Sequence, residues 1–312
     1  MSNILITGGA GYIGSVLAPE LLRSGHEVTV IDNFLYNQSS LLDVCNFKTL
    51  TVVRADARDR DLIKKHIVGK DFIIPLACLV GAPLCERDPQ AATTTNRDAV
   101  LMLLELRQEE QKIIFPNTNS GYGRMAEGVS LCDETSPLEP VSLYGKLKVE
   151  TEKALLEAEN TITFRLATVC GISPRMRLDL LVNDFVYRAV TDRAVVLFES
   201  HFKRNYIHVR DVASAFMHAI QHFEAMKGEA YNVGLSNANL SKRELCEEIQ
   251  KQLPQFVFLE SAIGKDPDKR NYIVSNAKIE KTGWKADVSI QDAIAELIKG
   301  YHIVRRNQFS NV

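Results

Sequence analysis

The sequence lacks most of the features that would place a protein outside the ordinary globular class. Its six cysteines form no Cys-x-x-Cys pair, which argues against a zinc site and against a disulfide scaffold. The net charge of −2 over 312 residues provides no field that would attract nucleic acid or an anionic membrane. The longest apolar stretch, residues 71–83, is too short to span a bilayer and is interrupted by Pro75 and Gly81. Because no signal peptide is recognisable, we expect a cytoplasmic protein. From the cysteine spacing, the net charge and the short apolar stretch, we expect no metal site, no nucleic-acid partner and no membrane partner.

Short apolar runs and longer amphipathic segments alternate through the first half of the chain. The runs are rich in Ile, Val, Leu and Phe, as is typical of parallel strands buried on both faces; they cover residues 3–7, 27–32, 50–56, 71–77, 112–117 and 161–167. Helical patterns lie between them, at 11–24, 90–109 and 143–158. This βαβ alternation predicts an α/β fold with a doubly wound parallel sheet of the Rossmann type. Pro75 lacks a ladder donor and should therefore lie at the very end of its strand.

After residue 170 the pattern changes to helices with short strands between them. Helices are predicted at 178–191, 208–224, 241–252 and 289–303, and a strand at 229–234. We predict a first domain over residues 1–170 that contains the parallel sheet and to which the chain returns around 205–235. A smaller C-terminal α/β substrate lobe over 171–312 should pack closely on the sheet, since no low-complexity linker separates the two.

A glycine-rich turn lies directly between the first strand and the first helix. It contains Gly8, Gly11 and Gly14 in the spacing Gly-x-x-Gly-x-x-Gly. Glycines at such a turn allow a pyrophosphate to approach the backbone and the helix to pack close to the strand. The N–H groups at the start of the helix would then face the phosphates. The turn therefore predicts a dinucleotide cofactor.

The acidic residue after the second strand predicts which dinucleotide is bound. Asp32 follows Gly14 by eighteen residues, where a carboxylate can accept hydrogen bonds from both ribose hydroxyls and would repel a 2′-phosphate. NAD is therefore favoured over NADP. Asp56, at the end of the third strand, could reach the adenine, or it could instead cap a helix.

Tyr144 and Lys148 form a candidate catalytic pair on a strongly helical segment. At i and i+4 they share one helix face. A tyrosine with a pKa near 10 becomes a base near neutral pH only if the phenolate is stabilised by about 4 kcal/mol. The cationic lysine and a positive nicotinamide ring could supply this together. The alternative is an aromatic residue beside a solvated lysine, but the preceding dinucleotide pattern favours catalysis.

Together, "TGGAGYIG" (7–14), Asp32, "NTNSGYG" (117–123) and "YGKLK" (144–148) resemble the extended short-chain dehydrogenase/reductase family, in its branch acting on nucleotide-linked sugars. Segments 93–100, 204–216 and 282–294 extend the resemblance over nearly the whole chain. The resemblance implies an NAD-binding sheet domain, a smaller sugar-nucleotide lobe, and Ser/Thr–Tyr–Lys catalysis between them.

The resemblance also implies roles for individual residues. Thr118 would hydrogen-bond the sugar oxygen that Tyr144 deprotonates, while Lys148 would hold the nicotinamide ribose. Thr118 could also be a strand-end hydroxyl that caps the turn. The cofactor is expected to contact Gly8, Gly11, Tyr12, Ile13, Gly14, Asp32, Asn33, Asp56, Ala57, Leu76, Ala77, Asn96, Tyr144 and Lys148.

A nucleotide-diphosphate sugar is the expected substrate. A diphosphate favours planar, bidentate donors, so Arg204 and Arg270 are the first candidates for its pyrophosphate. Arg175 would reach sugar hydroxyls or a subunit neighbour, or be a solvated charge. The predicted substrate contacts are Val80, Asn119, Ser120, Arg175, Asn183, Arg204 and Arg270.

The turn at 117–123 indicates the type of reaction. Asn119 and Ser120 occupy positions that are acidic in the family's 4,6-dehydratases. Dehydration needs an acid and a base, which an amide and a hydroxyl do not readily supply, so we expect no elimination.

Segments 75–83 and 164–185 most resemble the dehydrogenases that act on GDP-linked heptose in bacterial capsule synthesis. This resemblance implies NAD-dependent oxidation at C4 of GDP-D-glycero-D-manno-heptose. A 4-epimerase using the same three residues and a non-catalytic NAD-binding protein are the alternatives. We also expect a homo-oligomer, either a dimer or a tetramer.

Overall fold

The apolar runs of the first half form the strands of one parallel sheet. The computed structural model describes residues 1–123, 131–261 and 272–304. Its largest sheet has seven strands in the order β10-β6-β5-β4-β1-β2-β3, and every neighbouring pair is parallel. The predicted fold class, α/β with a doubly wound Rossmann-type sheet, is confirmed. The strands are β1 Asn3–Thr7, β2 Glu27–Asp32, β3 Leu50–Arg54, β4 Phe72–Pro75, β5 Lys112–Thr118, β6 Thr161–Leu166, β7 Thr168–Cys170, β8 Ala194–Phe198, β9 Lys203–His208, β10 Glu229–Val233, β11 Asn239–Ser241 and β12 Val257–Ser261.

Helices alternate with the strands along the chain. A π-helical segment, Thr94–Asp98, interrupts the region 90–109 that was predicted as one helix. A 3-10 turn, Asn119–Tyr122, follows β5 directly. The helices are α1 Gly14–Arg23, α2 Arg60–Ile67, α3 Ala82–Arg87, α4 Pro89–Thr93, α5 Ala99–Leu106, α6 Leu143–Leu156, α7 Leu181–Thr191, α8 Val209–Gln221, α9 Phe223–Met226, α10 Lys242–Gln252, α11 Ala277–Glu280 and α12 Ile290–Gly300.

The strand order places a crevice at the carboxyl ends of β1 and β4. The chain runs from β1 outward to β3 and then returns to β4, which pairs with β1 on its other side. Ligands of open α/β sheets bind at such a switch point. Pro75 is the last residue of β4, opposite Thr7, as its missing N–H predicted.

One predicted strand differs from expectation. The run at 50–56 was expected to be buried on both faces, but β3 is mostly exposed, and Val52 is 43% exposed. The reason is its position at the edge of the sheet, where β2 is its only strand neighbour among the described residues.

The C-terminal half contributes strands to the large sheet and to two smaller sheets. β10 pairs with β6 in the large sheet, and α8 packs against α1. Two smaller sheets, β11-β9-β7 and β12-β8, are separate from the large sheet. A single apolar cluster extends from Ile4 on β1 to Leu297 on α12, so the two halves of the chain share one core. The domain limits near residue 170 stay a prediction.

Candidate active site

The glycine-rich turn has a shape that only glycine permits. Gly8 has φ +71°, and a Cβ there would lie 2.5 Å from the Ala77 nitrogen. A Cβ on Gly14 would lie 2.5 Å from the Gly9 carbonyl oxygen. The turn is therefore a tight backbone cradle that packs against Ala77, directly before the N-terminus of α1. This shape fits the pyrophosphate of a dinucleotide, and it brings the predicted cofactor residues Leu76 and Ala77 beside Gly8.

Tyr12 and Ile13 lie at the end of this turn. The Tyr12 side chain is buried, and its hydroxyl donates a 2.7 Å hydrogen bond to the Gly171 carbonyl. Ile13 is the N-cap residue of α1. Because the Tyr12 hydroxyl already has a protein acceptor, the backbone is the part of these two residues that suits a phosphate.

Asp32 ends β2 beside the turn and is 7% exposed. Its Oδ2 accepts from the Ala10 N–H at 3.0 Å and its Oδ1 from the Phe34 N–H at 2.8 Å. Burial raises the pKa of this carboxyl, and these hydrogen bonds oppose the rise. Gln38 Nε2 also donates to Asp32 Oδ1, at 3.3 Å. A carboxylate has about four acceptor positions, so Asp32 keeps one for a ribose hydroxyl, and a second hydroxyl would have to displace Gln38. Asn33, next in the chain, is exposed, and its side chain accepts from the Leu35 N–H.

Asp56 lies beyond the end of β3. Arg58 holds both of its carboxylate oxygens, at 2.9 and 2.6 Å, and lowers the pKa of Asp56. The alternative that Asp56 caps a helix is wrong, because Asp59 is the residue whose side chain caps α2. Ala57, the next residue along the chain, is buried.

Asn96 supports the segment that follows β4. It is fully buried on the π-helical segment, and its amide both accepts from the Leu79 N–H and donates to the Leu79 carbonyl, each at 2.8 Å. π-Helical turns occur often at functional sites. Asn96 thus fixes the loop that carries Val80, and its effect on a cofactor would pass through that loop.

Thr118 ends β5 and caps the 3-10 turn. Its Oγ1 accepts from the Ser120 N–H at 3.1 Å and donates to Ser120 Oγ at 2.9 Å, as the capping alternative predicted. Asn119 is only 2% exposed, and both polar atoms of its amide lack a hydrogen-bond partner within the described chain. Buried amides are normally bonded, so Asn119 is a candidate ligand contact beside Thr118.

Helix α6 approaches this turn closely. A Cβ on Gly145 would lie 3.4 Å from the Ser120 carbonyl oxygen, so a glycine at this position allows the first turn of the helix to come near. Ser142 caps the helix by accepting from the Gly145 N–H at 3.2 Å. Tyr144 is half-buried in that first turn and packs against an apolar cluster that includes Leu79.

Lys148 joins α6 to β5. Its Nζ donates a 2.7 Å hydrogen bond to the Pro116 carbonyl and lies 4.2 Å from the centre of the Phe115 ring. The residue is 3% exposed, which excludes the alternative of a solvated lysine, and burial lowers its pKa. The helix of Tyr144 is therefore tied to the strand that ends in Thr118.

A buried ion pair behind the turn was not predicted. Glu152 accepts from Asn117 Nδ2 at 2.6 Å, from Thr163 Oγ1 at 3.0 Å and from Arg165 at 2.8 Å. Arg165 also donates to the Tyr122 hydroxyl at 3.0 Å. A signal existed in the sequence, because a lone arginine inside the apolar run 161–167 requires a buried partner, and Glu152 follows Lys148 by one helical turn.

Among the predicted substrate residues, Asn183 is corrected by the structure. It was expected to meet the pyrophosphate, but it is fully buried. Its Oδ1 accepts from the Gly171 N–H at 3.0 Å, and its Nδ2 donates to the Arg177 carbonyl at 2.9 Å. Because both ends of the amide are bonded to the protein, Asn183 has a structural role.

The three predicted substrate arginines differ in position. The guanidinium of Arg175 lies 4.4 Å from the centre of the Tyr36 ring, on the loop after β2. The side chain is buried, which excludes the alternative of a solvated charge, and its contact with a sugar stays a prediction. Arg204 is buried on β9 opposite Leu240, and its contact with a pyrophosphate stays a prediction. Arg270 lies outside the described residues.

Two further properties bear on the class of site. Across residues 1–123, 131–261 and 272–304, no group of three or more His, Cys, Asp and Glu side chains is arranged to hold a metal ion. None of the helices in those ranges has the length and apolar character needed to cross a membrane.

Comparison with known proteins identifies the family. The profile of the NAD dependent epimerase/dehydratase family matches residues 4–234. The chain is similar to dTDP-glucose 4,6-dehydratase of Streptomyces niveus, with 26% identity over 315 residues that cover 96% of this chain and 92% of that one. It is equally similar to UDP-glucose 4-epimerase of Lacticaseibacillus casei, with 25% identity over 326 residues and 96% of each chain covered.

A solved structure shows the same fold. UDP-glucose 4-epimerase of Thermus thermophilus, in complex with NAD, superposes with a TM-score of 0.82 at 24% identity, covering 97% of this chain and 100% of that one. The family resemblance and NAD as the cofactor, both predicted from the sequence, are confirmed. The chain is an enzyme of the NAD dependent epimerase/dehydratase family.

Proposed function

We propose that the enzyme oxidises the C4 hydroxyl of a nucleotide-linked sugar and releases the 4-keto sugar, with GDP-D-glycero-D-manno-heptose as the proposed substrate. The observation that carries the proposal is the 2.7 Å bond from Lys148 Nζ to the Pro116 carbonyl. It holds the helix of Tyr144 against the strand that ends in Thr118, and this supports a site in which a hydroxyl, a phenol and a cation would act together. The identity of the sugar rests on the resemblance of segments 75–83 and 164–185.

The side chains have distinct tasks in this proposal. Bound NAD would supply the hydride acceptor for oxidation at C4. Gly8, Gly11 and Gly14 would hold its pyrophosphate and Asp32 its adenosine ribose. Lys148 keeps two further N–H donors beyond the one given to Pro116, and these would hold the nicotinamide ribose.

Proton removal from the substrate falls to Tyr144. The cationic ammonium of Lys148, one helical turn away, favours the phenolate form of Tyr144 over the phenol. Thr118 Oγ1 would exchange its bond with Ser120 for one with the C4 oxygen of the sugar. General-base catalysis of this kind typically contributes roughly 10²- to 10⁴-fold.

The same turn argues against dehydration. Asn119 and Ser120 provide no carboxyl group to protonate a leaving hydroxyl. The carboxylate of Glu152 lies behind the turn, but bonds from Asn117, Thr163 and Arg165 occupy it. A relative of this chain is a 4,6-dehydratase. The family resemblance implies acidic residues at these two positions in such enzymes, and this difference would separate the proposed reaction from dehydration.

A 4-epimerase is the second candidate. The similarity to a UDP-glucose 4-epimerase over 96% of the chain supports it, since the same three residues could serve oxidation and the reverse reduction on the other face of the sugar. Membership in an enzyme family makes a non-catalytic NAD-binding role the weaker alternative. We also propose a homo-oligomer, for which sedimentation against the chain mass of 34.9 kDa is the test.

The mass of the product distinguishes these reactions. The enzyme is incubated with NAD and, separately, GDP-linked heptose, GDP-mannose, UDP-glucose and dTDP-glucose, with Tyr144→Phe as the control. A product of the heptose substrate lighter by two hydrogens supports the dehydrogenase. An unchanged mass with inverted C4 selects the epimerase. A product lighter by one water, with solvent hydrogen at C5, would overturn the argument against dehydration.

A further inference from the structure

The segment that follows β7 lies directly on the glycine-rich turn. The Tyr12 hydroxyl donates to the Gly171 carbonyl at 2.7 Å, and Ser173 Oγ donates back to the Tyr12 carbonyl at 2.7 Å. Ser15 Oγ lies 2.9 Å from Ser173 Oγ and accepts from the Arg175 N–H at 3.4 Å. These four hydrogen bonds join segments that are far apart in the sequence at the N-terminus of α1.

From this anchored backbone, the Arg175 side chain crosses to the loop after β2. Its guanidinium carbon lies 4.4 Å from the centre of the Tyr36 ring, which is within the range of a cation–π contact. Gln38 connects Tyr36 to the ribose-binding acid, since it accepts from the Tyr36 N–H at 3.2 Å and donates to Asp32 Oδ1 at 3.3 Å. Arg175 therefore connects the segment anchored at the phosphate cradle to the loop that follows Asp32.

The electrostatics of this position suit an anionic ligand. Arg175 is 4% exposed, its Nη1 donates to the Met176 carbonyl, and burial lowers its pKa. A further negative charge nearby would therefore stabilise the buried cation, and a diphosphate at the adjacent cradle would supply one. Arg177, two residues further on, is held by the carboxylate of Asp179 through a 3.1 Å bond to its Nε.

We propose that Arg175 and Tyr36 form a clasp over the adenosine diphosphate half of NAD, so that residues 171–175 belong to the cofactor site and not to the substrate site. Arg175 would contact the diphosphate, and Tyr36 would hold its guanidinium in place. The clasp depends on NAD binding at the glycine-rich turn and not on the oxidation proposed above. Its failure would therefore leave the proposed reaction untouched.

Binding of cofactor fragments tests the clasp without any turnover. Affinities of Arg175→Gln for NAD, ADP and adenosine are measured by calorimetry and compared with wild type. A charge-assisted phosphate contact is typically equivalent to a factor of roughly 10 to 150 in affinity, so NAD and ADP should each bind at least about tenfold more weakly. Adenosine, which has no phosphate, should bind as it does to wild type.

Three further variants and GDP as a further ligand complete the test. Arg54→Gln is the matched control, because Arg54, at the end of β3, lies 5.7 Å from the ring of Phe34, which is on the same loop as Tyr36. This variant should bind NAD and ADP as wild type does. Tyr36→Leu should weaken NAD and ADP less than Arg175→Gln does. Arg175→Lys, which keeps the charge, should recover part of the lost affinity and serves if the glutamine variant fails to fold. Unchanged NAD and ADP affinities in Arg175→Gln, or a selective loss of GDP binding, would overturn the clasp.

Discussion

Glu152 and Arg165 form an ion pair of 2.8 Å in which both side chains are at most 7% exposed. Glu152 extends from the helix that carries Tyr144 and Lys148, and Arg165 extends from β6. Asn117 connects the pair to the active-site turn, since its Nδ2 donates to Glu152 at 2.6 Å and its Oδ1 accepts from the Thr118 N–H at 2.8 Å. The pair thus positions Thr118 relative to the helix.

Glu152→Gln should cost both stability and turnover. An unpaired Arg165 would remain buried, and breaking one side of such a pair typically costs about 3 kcal/mol of unfolding free energy. A shift of the turn should lower kcat, by up to about 100-fold, with little change in KM. Urea unfolding and steady-state kinetics measure the two effects. Glu150→Gln, which removes an exposed partner of Arg97 on the same helix, is the control and should change neither.

The sequence predicted the parts of the molecule that depend on local patterns. The apolar runs gave β1 and β2 at their observed bounds, and the glycine spacing located a turn whose shape the structure explains by contacts with Ala77 and Gly9. The exposure of β3 was not predictable in the same way. Whether helices and neighbouring strands cover an apolar run depends on its position in the sheet. That position is set by the strand order, which the local pattern does not show.

Roles that depend on distant contacts were predicted least well. Asn183 and Arg175 were assigned to the substrate because they lie in the C-terminal half, yet their side chains meet Gly171 and Tyr36. Asn96 was expected at the cofactor, and its amide holds the backbone of Leu79 instead. A polar side chain has several available partners, and only the three-dimensional fold selects among them.

Asp32→Asn should reduce the preference for NAD over NADP. The asparagine keeps one acceptor oxygen, which can serve only one of the Ala10 and Phe34 N–H groups that bond to separate oxygens of Asp32. It also removes the charge that repels a 2′-phosphate. Calorimetry with both oxidised cofactors measures the change. Asp43→Asn, at an exposed acid of the same domain, should keep the wild-type preference. Comparable NAD and NADP binding by the wild type would contradict the role given to Asp32.

Tyr144→Phe should bind NAD normally and lose most of its turnover. Only the phenolic base is removed, and a loss of about 10²- to 10⁴-fold is typical for such a group. Kinetics and cofactor calorimetry on one preparation separate the two properties. Tyr187→Phe, on α7, should remain fully active. Near-normal activity of the Tyr144 variant would mean that another group takes the proton.

Lys148 should impose a pH dependence on stability. Burial lowers its pKa in the folded protein below the ordinary 10.5, so between these two values the unfolded chain binds more protons than the folded one. The contribution of Lys148 to the unfolding free energy therefore rises with pH in that window. Below the pKa of Lys148 in the folded protein, the full cost of burying the charged ammonium group applies. From about pH 7.5 to about pH 10, the unfolding free energy of wild type should therefore rise relative to that of Lys148→Met.

The control for that experiment is Lys146→Met, which removes an exposed lysine from the same helix. An exposed ammonium group meets similar solvent in both states, so this variant should follow the pH dependence of wild type. Urea unfolding at the two pH values measures both differences. A constant difference between wild type and Lys148→Met would show that the buried ammonium is not what titrates.

Asn119 and its neighbour Asn117 should respond in opposite ways to the same substitution. Both are buried, but the Asn117 amide is bonded to Thr118 and Glu152, whereas neither polar atom of the Asn119 amide has a partner in the described part of the chain. A buried polar group without a hydrogen bond costs about 1 to 3 kcal/mol. Asn119→Leu should therefore stabilise the ligand-free protein against urea by about that amount, while Asn117→Leu should destabilise it.

The gain in stability should be accompanied by a loss of substrate binding. If the Asn119 amide is kept for the sugar nucleotide, Asn119→Leu should raise KM for that substrate while its affinity for NAD stays at the wild-type value. Such an opposition between stability and function is what a preorganised binding group produces. A variant that is less stable than wild type and has an unchanged KM would show instead that Asn119 supports the turn and does not contact the substrate.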